Sequence, residues 1–192
     1  GVSNIAVGVN SLFSNTTGSY NAAVGRDALS SNTIGTANSG FGYKALFSNT
    51  TGGSNTAIGY QSLHTNTIGT LNVAVGVNAL FSNTTGASNS AFGYRTLYLN
   101  TTGIKNNAFG YYALRNNTIG TGNSAFGQQA LQNNTTGINN SAFGYQTLIT
   151  NTIGTNNTAV GVNCMYYNTT GSSNTAVGRS ALQNNTIGST NS

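Results

Sequence analysis

Charge is nearly missing from this sequence. Of its 192 residues, 4% are Asp, Glu, Lys or Arg, against roughly a quarter in an ordinary soluble domain. Asp27 is the only acid, His64 the only histidine and Cys164 the only cysteine. General acid–base catalysis needs two placed titratable groups. An enzyme is therefore not expected, and no catalytic, cofactor-binding or metal-binding residue is assigned. A lone cysteine excludes a disulfide within the chain and leaves the redox compartment unread. Calcium-binding solenoids place an Asp in each turn, and this chain has a single Asp. Proline and tryptophan are absent. No apolar run approaches membrane-spanning length, and no charged-then-apolar signal opens the stretch. Membrane insertion of this segment is not expected. Low charge with many polar residues also marks disordered chains; regularly spaced apolar residues argue against that here.

What is there is a period. A glycine falls at 8, 25, 42 and so on to 178, and another at 18, 35, 52 and so on to 188, every step being 17. These two columns hold 22 of the 26 glycines, so glycine marks fixed points of a repeat. Naming each column by its first member, the Asn15 and Thr16 columns are invariant in eleven copies and the Asn4 column in twelve. Helical repeats need 30 residues or more. Seventeen residues punctuated by Gly and Asn, both tolerant of positive φ, suit one coil of a β-solenoid. The expectation is an all-β solenoid, a β-roll or β-helix of about eleven coils, oligomeric. It covers residues 1–192 as one continuous array without terminal caps, so each end is expected to abut a further coil.

Three columns are expected to point inward. The Val7 column is Val, Phe or Ile; the Leu12 column is Leu with Met165 once; the Thr17 column is Thr or Ile. Alternation along a strand would then put the Ala6 and Gly8 columns outside as a smooth strip. Copies are expected to meet there, so that Glu at Ala91 and Ala125 would dissociate the assembly. The Thr17 column alternates Thr and Ile with one slip at Thr102, and the Phe13 column tends to be aromatic where its partner is Thr. This reads as a 34-residue duplication laid over a 17-residue coil. Equivalent Asn side chains, stacked at a strand spacing of ~4.8 Å, can form amide ladders. Such a ladder demands the same residue in every coil.

Copies such as "NTAIGYQSL" (55–63), "NSAFGYQTL" (140–148) and "NTAVGRSAL" (174–182) resemble the repeats of YadA-like trimeric autotransporter adhesin heads. The full unit also looks like arrays in phage and bacterial fibre proteins that end in an endosialidase-type intramolecular chaperone. The resemblance covers the whole chain. It implies a left-handed β-roll, a homotrimer and a fibre on a cell or virion surface with a host or matrix ligand. The repeat here is longer than the adhesin one, and the 192 residues hold no coiled-coil stalk, membrane anchor or chaperone domain.

Individual residues carry little chemistry. His64 reads as a solvent-facing filler and Cys164 as a buried small residue. Tyr43, Tyr60, Tyr94, Tyr111 and Tyr145 share a column; packing against a neighbouring coil or chain is the plainer account, sugar binding the other. The net charge is +5. Arg26 and Arg179 share one column and Lys44 and Arg95 another, while Lys105 and Arg115 stand elsewhere. Nucleic-acid binding calls for a cationic stripe, and four columns do not look like one. Glycosylation triplets at Asn15, Asn49 and Asn116 arise from composition. The expected function is therefore mechanical: a stiff segment of an extracellular or virion surface fibre, adhesin shaft or tail fibre. Its partners would be copies of itself, as a trimer or end to end, and a host surface or glycan. Two alternatives stand beside it. One is a self-assembling extracellular filament. The other is an ice-binding solenoid using the Thr16 ladder.

Overall fold

The computed structural model describes all of residues 1–192. It is a β-solenoid: eleven three-residue strands, from β1 (Ile5–Val7) to β11 (Thr175–Val177), form one sheet in sequence order. Every neighbouring pair is parallel, and each residue faces the residue 17 later, as Val7 faces Val24 and Phe109 faces Phe126. The register passes the slip at Thr102 without a shift, pairing Ser90 with Asn107. Seventeen residues are thus one coil. Coil 1 is residues 1–17 and coil 11 is residues 171–187.

The rest of each coil is turn. Three non-glycine residues per coil sit at positive φ: the Ser3, Asn10 and Leu12 columns, with Gly122 replacing one of them. The Leu12 column is unusual, since a branched side chain there pays a left-handed cost of about 1–2 kcal/mol. Its φ values run from 47° to 53°. The same twist buries the leucine completely, as for Leu29 and Leu114, and that burial contributes about 1.5–3 kcal/mol. The turn also keeps its backbone bonds, with Leu29 N–H donating to the Ala45 carbonyl at 3.0 Å. Burial and bonding therefore outweigh the dihedral cost. The Gly8 column solves a harder case. Gly59 has φ +129°, and a Cβ there would lie 2.7 Å from the Gly76 carbonyl oxygen.

Two of the three expected inward columns point outward. Val7 and Val177 are 57% and 72% exposed and Phe143 is 40% exposed, whereas Ala23, Ala57, Ala91 and Ala125 are fully buried. The strand alternates as expected but faces the other way. In the Thr17 column, Ile34, Ile68, Ile119 and Ile153 are each more than half exposed. Only the Leu12 column lies inside as expected. The reason is space. The core consists of the Ala6 column, the small Ser11 column and the Leu12 column, flanked by two columns of buried asparagine. So narrow a coil has room for one large side chain, and Val or Phe from the strand would collide with the leucine. The smooth Ala strip consequently cannot be a meeting surface.

The asparagine ladders form as expected. Asn38 Nδ2 donates to Asn21 Oδ1 (3.2 Å) and to the Gly52 carbonyl (2.8 Å); its Oδ1 accepts from the backbone N–H and the Nδ2 of Asn55, both at 3.1 Å. Every hydrogen-bonding group of the amide is used, which is what burial of a polar group requires. Asn49 Nδ2 reaches the same Gly52 carbonyl at 2.9 Å and Asn32 Oδ1 at 2.8 Å. The two ladders therefore converge on one glycine per coil. A Cβ on Gly52 would stand 2.5 Å from Asn49 Oδ1, which excludes any larger residue.

Candidate functional surfaces

No cleft or enclosed cavity interrupts the rod, and no three His, Cys, Asp or Glu side chains gather as metal ligands would. No helix is long and apolar enough to cross a membrane. What the coil displays is four long strips, each built from columns.

The first strip is the outer face of the sheet. Alternation puts the Ile5 and Val7 columns on it. Val, Ile and Phe of the Val7 column run the length of the rod, and in coils 6 to 9 they become a stack of rings. Phe92, Phe109, Phe126 and Phe143 follow one another at 4.6, 4.8 and 5.0 Å between centroids, nearly coplanar. Beside them the Ile5 column is mostly Ser and Thr. The second strip is the exposed Thr/Ile alternation of the Thr17 column.

The third strip is the Thr16 column. The Thr33 carbonyl accepts four donors: Thr16 N–H (2.9 Å), Thr17 N–H (3.2 Å), Gly18 N–H (3.3 Å) and the Thr16 hydroxyl (3.0 Å). The pattern recurs up to Thr169, whose hydroxyl donates to the Thr186 carbonyl at 3.1 Å. Invariant Thr is thereby explained by the stack itself. These hydroxyl protons are committed to the protein, which weakens the row as an ordered donor surface for ice.

The fourth strip is an edge on which three columns meet: the one containing Tyr43, the one containing Lys44 and the Phe13 column. Lys44 Nζ lies 5.4 Å from the ring centroid of Tyr43 and 5.1 Å from that of Phe47. Arg95 spans Tyr94 and Tyr98 at 5.2 and 5.4 Å, and Arg115 covers Tyr112 at 5.0 Å. Along the rod, Tyr43 stacks on Tyr60 and Tyr94 on Tyr111, each at 5.3 Å. The Phe13 column makes its own stack, Phe47–His64–Phe81–Tyr98, at 5.3, 5.0 and 5.3 Å. Three of the four columns that carry cations thus converge. The αL turn at Leu12 brings these columns, which lie within five residues of one another in the coil, onto one edge.

The residues singled out by type fall into place individually. His64 is a half-buried rung of the ring stack; burial, then the charge of Lys44, lowers its pKa from the ordinary 6.5, favouring the neutral ring. Cys164 is in the core as expected, donating to the Ala176 carbonyl at 3.3 Å, and burial pushes its thiol pKa up. Asp27 is held by Asn10 Nδ2 at 3.0 Å and by Arg26 Nε at 3.3 Å. No two of His64, Cys164 and Asp27 share a site. Of the glycosylation triplets, Asn49 is fully buried with its Nδ2 in the ladder, and Asn15 Nδ2 donates to the Gly18 carbonyl. Asn116 Nδ2 bonds to Asn133 Oδ1 at 2.9 Å. In the folded coil the amide nitrogens of all three are engaged.

Comparison with known proteins adds no relative: no family model matches the chain, and no curated protein and no solved structure is significantly similar to it.

Proposed function

We propose that this array is a non-enzymatic spacer rod, a segment of an extracellular or virion surface fibre, that associates side by side with copies of itself, as a trimer. The observation that carries the reading is the outer sheet face. Eleven coils at ~4.8 Å each make a face ~50 Å long, whose apolar part is the Val7 column, bordered by the mostly Ser and Thr Ile5 column. A continuous outward apolar row on a soluble protein marks an interaction surface. The ridge is continuous and uncharged, as suits a second rod lying alongside. The fully hydrogen-bonded ladders supply stiffness along the axis, since each coil is tied to the next by side chain and backbone alike. Surface exposure outside the cell is the setting in which such a rod holds something at a distance.

Sedimentation equilibrium tests the reading. The chain is expected to sediment as an oligomer, and the double variant Phe109→Glu, Phe126→Glu as a folded monomer with an unchanged β circular-dichroism spectrum. A wild-type chain that stays monomeric at high concentration overturns it. End-to-end filaments in the electron microscope, without lateral pairing, would favour the self-assembling filament instead.

A further inference from the structure

We propose that the basic aromatic edge of the rod binds a linear acidic polysaccharide laid along its axis. This goes beyond a spacer role and does not depend on side-by-side association, which uses a different face.

Five of the six cations stand on this edge: Arg26, Lys44, Arg95, Arg115 and Arg179; Lys105 alone does not. The only acid of the chain, Asp27, pairs with Arg26. The other four have no carboxylate partner anywhere in the molecule, so their charge is uncompensated. They are also grouped. Arg26 and Lys44 lie in coils 2 and 3, Arg95 and Arg115 in coils 6 and 7, and Arg179 in coil 11. At ~4.8 Å per coil, successive groups are about 19 and about 22 Å apart. Between them the column of Lys44 carries neutral amides, Gln61, Asn78, Gln129, Gln146 and Asn163. A ligand that fits has separated negative charges joined by neutral, hydroxyl-rich units. That describes a polysaccharide bearing carboxylate or sulfate groups.

The same geometry disfavours nucleic acid. Bases bind to aromatic side chains through free ring faces. Here the faces of Tyr43, Phe47, Phe81 and Tyr98 are covered by neighbouring rings or by a cation. Duplex DNA carries one charge per ~1.7 Å, and three groups spread over about nine coils would neutralise few of them. The rings serve instead to hold the cations in place, through attraction of each cation to the ring face.

The repeat itself supplies the test substitutions. Glutamine already occupies the columns of Lys44 and Arg95 (Gln61, Gln129) and of Arg115 (Gln132, Gln183), and asparagine the column of Lys105 (Asn139, Asn156). The variant Lys44→Gln, Arg95→Gln, Arg115→Gln therefore carries only residues that other coils accommodate at those positions. Binding of the full chain to heparin is measured against ionic strength, with neutral dextran and oligodeoxythymidine alongside. We expect salt-sensitive heparin binding and none to dextran. The triple variant should bind roughly tenfold more weakly, with a salt dependence shallower by about three counterions. Lys105→Asn should change affinity by less than about twofold. The proposal is overturned if the chain does not bind heparin, if the triple variant binds as the wild type does, if Lys105→Asn loses as much per charge, or if oligodeoxythymidine binds as tightly.

Discussion

The Asn15 column and the Val7 column look alike as sequence, since both are tightly restricted in every copy. In the structure one lines the interior and the other faces outward. Asn66, Asn83 and Asn100 are fully buried, each amide donating to the one before at 2.7–2.9 Å, while Ile58 and Phe143 are 42% and 40% exposed. Polar residues are inside and apolar ones outside because the two columns answer different demands. A stacked coil must satisfy its own turn carbonyls at a place water cannot reach, and only a side chain with both donor and acceptor can repeat that bond indefinitely. The outer column has no such duty, and its apolar character is not required by the stack. Regularity in a repeat marks participation in the stack and does not by itself mark burial.

Substitutions that interchange the two environments separate them most sharply. Ala125→Glu places a carboxylate in a fully buried site beside the leucine column; an unpaired buried charge of this kind costs more than ~4 kcal/mol. Loss of β structure in the central coils, read by circular dichroism and hydrogen exchange, is the expected result. Clean dissociation into folded monomers would restore the Ala strip as an interface.

Asn89→Ala should be next in size. It removes the acceptor of Asn106 N–H (3.0 Å) and Nδ2 (3.2 Å) and the donor to the Gly103 carbonyl (2.9 Å). Asn106 Nδ2 keeps the Gly120 carbonyl and the Gly103 carbonyl keeps Asn100 Nδ2, so the buried Asn106 N–H is the group left unpaired, and with the bonds lost beside it the cost is about 2–3 kcal/mol. Thermal melting should reveal it, with the loss centred on coils 5 to 7, because a stacked array transmits a defect mainly to its neighbours. Melting indistinguishable from the wild type would mean that the ladder is decorative.

By contrast, Phe109→Ala on the outer face should cost the isolated rod about 1–2 kcal/mol, the loss of two stacked pairs at a half-buried site. Its effect should appear in sedimentation, as weaker self-association. A drop in the melting temperature of dilute monomer as large as that of Asn89→Ala would show that the outer ring stack holds the coil together.

The smallest effect is a pH dependence at His64. Its folded pKa lies below the unfolded value of 6.5, so at pH below 6.5 the unfolded chain binds more protons than the folded one. Stability should be complete above 6.5 and fall as the pH drops from there toward the lowered folded value. His64→Phe, which copies Phe47 and Phe81 on either side, should flatten the melting temperature across that window. A dependence that survives the substitution would have to come from another group.

Much of this was legible in the linear sequence. The constant step of 17 determined parallel, in-register coils, because any other register would break the Asn4, Asn15 and Thr16 columns at once. The Leu12 column identified the core, and the amide chemistry of Asn predicted its ladders. Which side of the strand faces inward was left to the tertiary structure. Alternation says that Ala6 and Val7 lie on opposite faces, but it is symmetric to exchange of the two. The choice falls to the volume inside the coil, which is set jointly by the leucine, the two asparagines and three positive-φ turns distributed over the whole repeat. The basic edge was hidden for the same reason. Arg95 and Arg115 belong to different columns, and only the left-handed turn at the Leu12 column brings those columns side by side.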